Sequence, residues 1–177
     1  VIDAIDPNKD VDGFHPKNVD SLVHGTGTII SPLHQGILRL ISQTPLHLHG
    51  AHSVIIANSE IFAKPLAYLL TKAGTYVDTV RSEEVKGSAL KSADIVIIAI
   101  GHKNLLKAEM IKDGAVIIDV GTNKDPDGKV HGDVDRASFL NRNVFLTPVP
   151  GGVGPMTIAQ LLWNVFTLTE QQTTPLV

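Results

Sequence analysis

Ser53-Val54-Ile55-Ile56-Ala57 is an unbroken apolar run bounded by turn-forming residues, and its reading decides the fold. A strand with one face in water alternates polar and apolar side chains, so a run without alternation suits a strand covered on both faces, as in a parallel sheet. Downstream, helix-like and strand-like segments alternate: Phe62 to Ala73 reads as a helix, Thr75 to Val80 as a strand, Lys86 to Ser92 as a short helix and Asp94 to Ile100 as a strand. Lys107 to Ile111 continues as helix, Ala115 to Val120 and Asn143 to Thr147 as strands, and Thr157 to Thr167 as a closing helix. Upstream, Ile37, Leu38, Leu40 and Ile41 give the segment from Gln35 to Thr44 one apolar side. Strands separated by helices and joined by right-handed crossovers predict an α/β fold, a Rossmann-like, doubly wound and mainly parallel sheet.

In such sheets ligands lie beyond the carboxyl ends of the strands. Asn58, Ser59, Arg81, Ser82, Gly101, Gly121, Thr122 and Asn123 all fall there. After the last strand comes Thr147-Pro148-Val149-Pro150-Gly151-Gly152-Val153-Gly154-Pro155-Met156-Thr157. Glycine permits positive φ and close approach of a ligand to bare peptide groups, while proline fixes φ and limits the entropy lost on ordering. Proline near the start of the next helix leaves free N–H groups aimed back at the loop. This is a site for a flat or anionic small molecule.

That loop, with Lys9-Asp10-Val11-Asp12-Gly13-Phe14, Gly114-Ala115-Val116-Ile117-Ile118-Asp119-Val120-Gly121-Thr122-Asn123 and Gly132-Asp133-Val134-Asp135, resembles in order and spacing the bifunctional methylenetetrahydrofolate dehydrogenase/cyclohydrolase family. The resemblance runs from about Ile5 to Thr167, and a whole family member is longer. It implies a remnant of the folate-binding catalytic domain over 1–30, an NAD(P)-binding domain over 31–150, and a Gly/Pro loop and helix over 151–177 returning to the catalytic domain. It also implies NADP as cofactor ahead of NAD, tetrahydrofolate derivatives as substrates, a homodimer and a cytoplasmic setting. Methylenetetrahydrofolate would be oxidised by hydride transfer and the methenyl product opened by water. Asp12, Pro150, Gly151, Gly152 and Val153 would border the substrate, Asp12 orienting the pterin as a hydrogen-bond acceptor. Asn58, Ser59, Lys64, Pro65, Arg81, Ser82, Gly101, Gly121, Thr122, Gly154 and Thr157 would border the cofactor. The general acid/base lysine would lie in an N-terminal half outside this sequence, leaving no catalytic residue here and no cyclohydrolase turnover by this chain alone.

Two segments depart from the family pattern. Its first turn reads Gly-Arg-Ser-x-x-Val-Gly-x-Pro, where this chain has Ala57-Asn58-Ser59-Glu60-Ile61-Phe62-Ala63-Lys64-Pro65. Methyls where backbone approaches a pyrophosphate are expected to cost sterically, and the lost guanidinium removes a bidentate phosphate donor. Arg81-Ser82 could supply charge to a 2′-phosphate instead. Ser31-Pro32-Leu33-His34 stands where the family has Pro-Cys-Thr-Pro. Together the changes keep a second reading open, a catalytically impaired relative acting as a binding or regulatory domain.

Composition fits a globular protein and argues against other classes. The 177 residues are 43% hydrophobic and 19% charged, enough for one core of ordinary size. A net charge of −3 without a Lys/Arg run argues against nucleic acid and membrane surfaces as partners. The absence of cysteine removes disulfides and thiolate metal ligands. His47-Leu48-His49 with His52 invites a metal reading, but no Glu completes a metalloenzyme helix motif, so no metal site is expected. Tyr68 and Lys72 share the spacing of the family's catalytic pair yet sit on a cofactor-side helix, where the match reads as chance. Asp119 and Asp133 could orient loop backbone or contact ligand. Val1-Ile2-Asp3 carries neither an initiator Met nor a signal-peptide n-region, and reads as an internal start.

Overall fold

The structure is a computed structural model describing residues 2–85 and 88–173. Five parallel strands form the sheet: β1 (His52–Ala57), β2 (Tyr76–Val80), β3 (Ile95–Ala99), β4 (Val116–Asp119) and β7 (Phe145–Leu146), in the order β2-β1-β3-β4-β7. A separate antiparallel hairpin pairs β5 (Asn123–Lys124) with β6 (Val130–His131). Because β1 pairs with both β2 and β3, the chain reverses its winding direction between β1 and β3. That reversal opens a crevice at the strand ends.

Alternate side chains of each strand enter different cores. Ile55, Ile95, Ile97, Val116 and Ile118 pack with α2 (Pro32–Ile41) and α3 (Glu60–Lys72). Val54, Ile56, Val96, Ile98 and Ile117 pack on the opposite face with Leu90 of α4 (Ser88–Ser92), Leu106, Ile111 and Phe139. The predicted doubly wound sheet is therefore present, with both faces of its central strands dry. At the edge, β2 is largely exposed, Tyr76 being 72% accessible.

The segments differ from expectation in ways that have causes. Lys107–Ile111 is not a helix; only a 3-10 turn, Ala108–Met110, forms. Five residues cannot offset the cost of helix nucleation, and Arg142 takes the carbonyls of Ala108 (2.8 Å) and Ile111 (2.7 Å) that a longer helix would use. The closing helix, α5, begins at Val153 and runs to Thr173. Gly154 and Pro155 are tolerated inside its first turn, because N–H groups there have no intrahelical partner. Of the helix expected over 86–92, Lys86 and Gly87 lie outside the described residues.

The first thirty positions carry a helix the sequence did not announce, α1 (Pro16–Val23). Its start is organised by buried Asp10, which accepts from Gly13 N (3.0 Å), His15 N (2.8 Å) and Asn18 Nδ2 (3.0 Å). Asn164 of α5 then holds the segment down by donating to the carbonyls of Val11 (2.8 Å) and Ile30 (2.9 Å) while accepting from Gln35 Nε2 (2.7 Å). Among the described residues, no helix is long and apolar enough to cross a membrane.

Candidate functional site

A cavity of about 460 Å³ opens between the end of β4 and the Gly/Pro loop. Gly121, Thr122, Pro150, Gly151, Gly152, Val153, Gly154 and Thr157 all line it, so the structure brings together most of the loop residues predicted from sequence. Pro148 and Val149 of the same loop and Leu33 of the Ser31–His34 segment also line it, and the wall is completed by residues that prediction missed, Val120, Val130 and Ile158. Val130 reaches it from the β5–β6 hairpin, whose Gly128 at φ 81° closes the turn. Asp127-Gly128 between two short runs is the signal that could have found it. A polar groove of about 550 Å³ between 6–29 and the end of α5 contains none of the predicted site residues.

Two buried carboxylates shape the floor. Asp133, fully buried, accepts from the backbone N–H groups of Ile100 (2.7 Å), Gly101 (3.0 Å) and His102 (2.8 Å) and from Asn123 Nδ2 (2.8 Å). Asp119 accepts from Gly121 N (3.1 Å), Asp133 N (2.9 Å) and Val134 N (3.1 Å). Burial pushes the Asp119 carboxyl above its ordinary range, and the N–H donors of Asp133 and Val134 oppose that rise. Both aspartates thus orient backbone, tying the loop after β3 to the loop after β4. The glycines beside them are required sterically: a Cβ on Gly121 would collide with the Asp133 carboxylate, and one on Gly132 with that of Asp119.

The remaining cofactor-side candidates sit across the crevice, outside the cavity lining. Asn58 and Ser59 follow β1, and Asn58 Oδ1 accepts from Ser82 N (3.1 Å), joining the ends of β1 and β2. Arg81 lies 3.8 Å from Glu60 in an exposed ion pair. Lys64 is exposed and Pro65 buried on α3. Gly101, at φ 76°, has open space where a side chain would stand, as does Gly154. The arrangement fits a dinucleotide better than the sequence suggested, because Ala57 and Ala63 belong to the core cluster at 8% exposure each. Their methyls fill the interior. Backbone at Gly101 and Gly154 remains uncovered for a pyrophosphate or nicotinamide to approach.

Asp12 is exposed and not part of the cavity wall. Its neighbour Gly13, at φ 68°, abuts Ser31, where an added Cβ would stand 2.9 Å from Ser31 N. Ser31 leads into α2, whose Leu33 lines the cavity, while Asp12, Gly13 and Ser31 do not. The side chain that accepts from Gly13 N in the preceding turn is that of Asp10, not Asp12. Next to Leu33, His34 is buried against the Phe62 ring, centroids 5.3 Å apart, with neither ring nitrogen in a hydrogen bond. Burial lowers its pKa to about 4. Tyr68 and Lys72 share a face of α3, the ammonium 5.9 Å from the ring centroid. His52 pairs with Asp78 (2.9 Å) and Ser92 (3.2 Å).

Comparison with known proteins gives this geometry a context. Residues 31–173 match the family model described as tetrahydrofolate dehydrogenase/cyclohydrolase, NAD(P)-binding domain. The bifunctional protein FolD of Aliarcobacter butzleri is 48% identical over 166 residues, covering 93% of this chain and 58% of the relative. A crystal structure of the bifunctional FolD enzyme from Campylobacter jejuni superposes with a TM-score of 0.86 at 37% identity, covering 97% of this chain and 61% of that one. The Trypanosoma brucei FolD structure, complexed with NADP and an inhibitor, gives 0.88 at 30% identity over 98% of this chain and 62% of its own. The chain therefore spans about three fifths of the length of the relatives it matches.

Proposed function

The chain belongs to the tetrahydrofolate dehydrogenase/cyclohydrolase family and carries its NAD(P)-binding domain, and from that premise we propose that it serves a methylenetetrahydrofolate dehydrogenase and methenyltetrahydrofolate cyclohydrolase with NADP as cofactor. The observation that carries the reading is the cavity in which the strand-end residues Gly121 and Thr122 face Gly151, Gly152 and Gly154. Exposed Thr122 on one side of the cleft and exposed Gly151 and Gly154 on the other suit two flat ligands held edge to edge, a nicotinamide ring and a reduced pterin. When bound, NADP supplies the hydride acceptor. The chain's own residues do the positioning: the Asp133-held loop presents Gly101, the Asp119-held loop presents Gly121, and the start of α5 presents N–H groups to anionic or carbonyl oxygens.

In this reading residues 1–30 belong with the folate-binding domain, 31–150 form the nucleotide domain, and α5 returns to the former, as its Asn164 bonds to Val11 and Ile30 support. Asp12 holds the pterin, Pro150 to Val153 border the substrate, and Asn58, Ser59, Lys64, Pro65, Arg81 and Ser82 line the adenosine end of the cofactor. A cytoplasmic homodimer completes the proposal. Its test is ligand binding by the 177-residue chain. NADPH fluorescence should change saturably, and the bound chain should then take up a reduced folate with an affinity that Asp12→Ala weakens by tenfold or more. A chain that binds no dinucleotide contradicts the cofactor assignment, and folate binding indifferent to Asp12→Ala contradicts the pterin assignment.

A further inference from the structure

The adenosine end of the crevice holds its donors in a way that bears on which dinucleotide it accepts. In a doubly wound sheet the end of the second strand reads the 2′ position of the adenosine ribose, with a carboxylate for a free hydroxyl or a cation for a phosphate. Here that position carries Arg81 and Ser82, and three carboxylates stand against them. The Arg81 guanidinium lies 3.8 Å from Glu60 Oε1, and Arg81 N donates to Glu84 Oε2 at 3.2 Å. Ser82 N donates to Asn58 Oδ1 at 3.1 Å, and Ser82 Oγ donates to Glu83 Oε2 at 3.2 Å. A 2′-phosphate, itself carrying close to two negative charges, would have to draw these donors away from three carboxylates and then sit beside them. An unesterified ribose meets the opposite situation, since carboxylates accept from its hydroxyls without losing their present donors.

We propose that Glu60, Glu83 and Glu84 act as specificity residues that compete with a 2′-phosphate for Arg81 and Ser82, reducing the preference for NADP over NAD to a few-fold. The proposal rests on the dinucleotide reading of the crevice. Glu60, Arg81, Glu83 and Glu84 are all exposed, so their substitution leaves the core untouched. Each carboxylate in so wet a setting is worth only a few-fold in affinity, and two together about tenfold.

Calorimetric titration of the chain with NADP and with NAD at low salt provides the test. For the unaltered chain, the two Kd values should lie within about fivefold. The double variant Glu60→Gln/Glu83→Gln should widen the ratio about tenfold in favour of NADP, and Arg81→Gln should move it toward NAD; added salt should shrink both effects. A hundredfold preference for NADP in the unaltered chain, or a ratio unchanged within twofold in the double variant, overturns the proposal while leaving dinucleotide binding intact. Failure to bind either dinucleotide overturns both this proposal and the reading beneath it.

Discussion

Gly132 and Gly154 separate two reasons for a glycine. At Gly132 a methyl would run into the buried Asp119 carboxylate, whereas at Gly154 it would meet nothing within contact distance. Gly132→Ala should therefore cost about 2–3 kcal/mol, read as a fall in Tm of roughly 5–10 °C. Gly154→Ala should hold or slightly raise Tm, because alanine favours the helix, while weakening dinucleotide binding. His34 supplies a pH dependence. It folds neutral with a pKa of about 4 against an ordinary 6.5, so the folded state binds fewer protons than the unfolded one between those values. The stability it contributes is complete above pH 6.5 and lost as pH falls toward 4, about 3 kcal/mol in all. In urea melts across that range, His34→Leu should flatten the acid slope; an unchanged slope would assign it to other groups. The roles of Asp119 and Asp133 were open in the sequence because the donors each one holds come from loops that only the fold brings together.

Elements buried on both faces were the legible ones. β1, β3 and β4 are continuous apolar runs, and nothing outside the strand is needed to recognise them. The two-residue strands β5 and β6 have no periodicity to detect, whereas β7 lies inside the strand read over 143–147, and the turn at Ala108–Met110 looks helical until Arg142 is placed beside it. α1 depends on Asp10 and on α5, about 16 Å of helix beyond the glycine loop at Asn164. Asn164→Ala leaves the carbonyl of Val11 without its donor and removes one of the two donors on the carbonyl of Ile30, which Gln35 Nε2 still reaches at 2.7 Å. It should loosen residues 6–30 by about 2 kcal/mol, seen as faster amide exchange there with β1 and β3 unaffected. Exchange rising equally in the sheet would mean that the two regions unfold as one.

The whole molecule is a sheet whose winding reverses beside β1, with loops fastened to one another by buried carboxylates and a long helix that reaches back to the N-terminal segment. The glycine and proline loop was legible from sequence as a candidate site, and in the structure it forms one wall of a cavity. Its cavity was not, since Leu33 and Val130 come from a helix and a hairpin far apart in the chain. The central claim is that the uncovered backbone around this cleft receives a dinucleotide. Amide chemical shifts of the isotopically labelled chain, followed during titration with NADP, test it most directly. The account predicts saturable shifts at Gly101, Gly121, Thr122 and Gly151 to Gly154, together with Asn58 and Ser82. Shifts confined to the groove between residues 6–29 and the end of α5, or none at all, would contradict it.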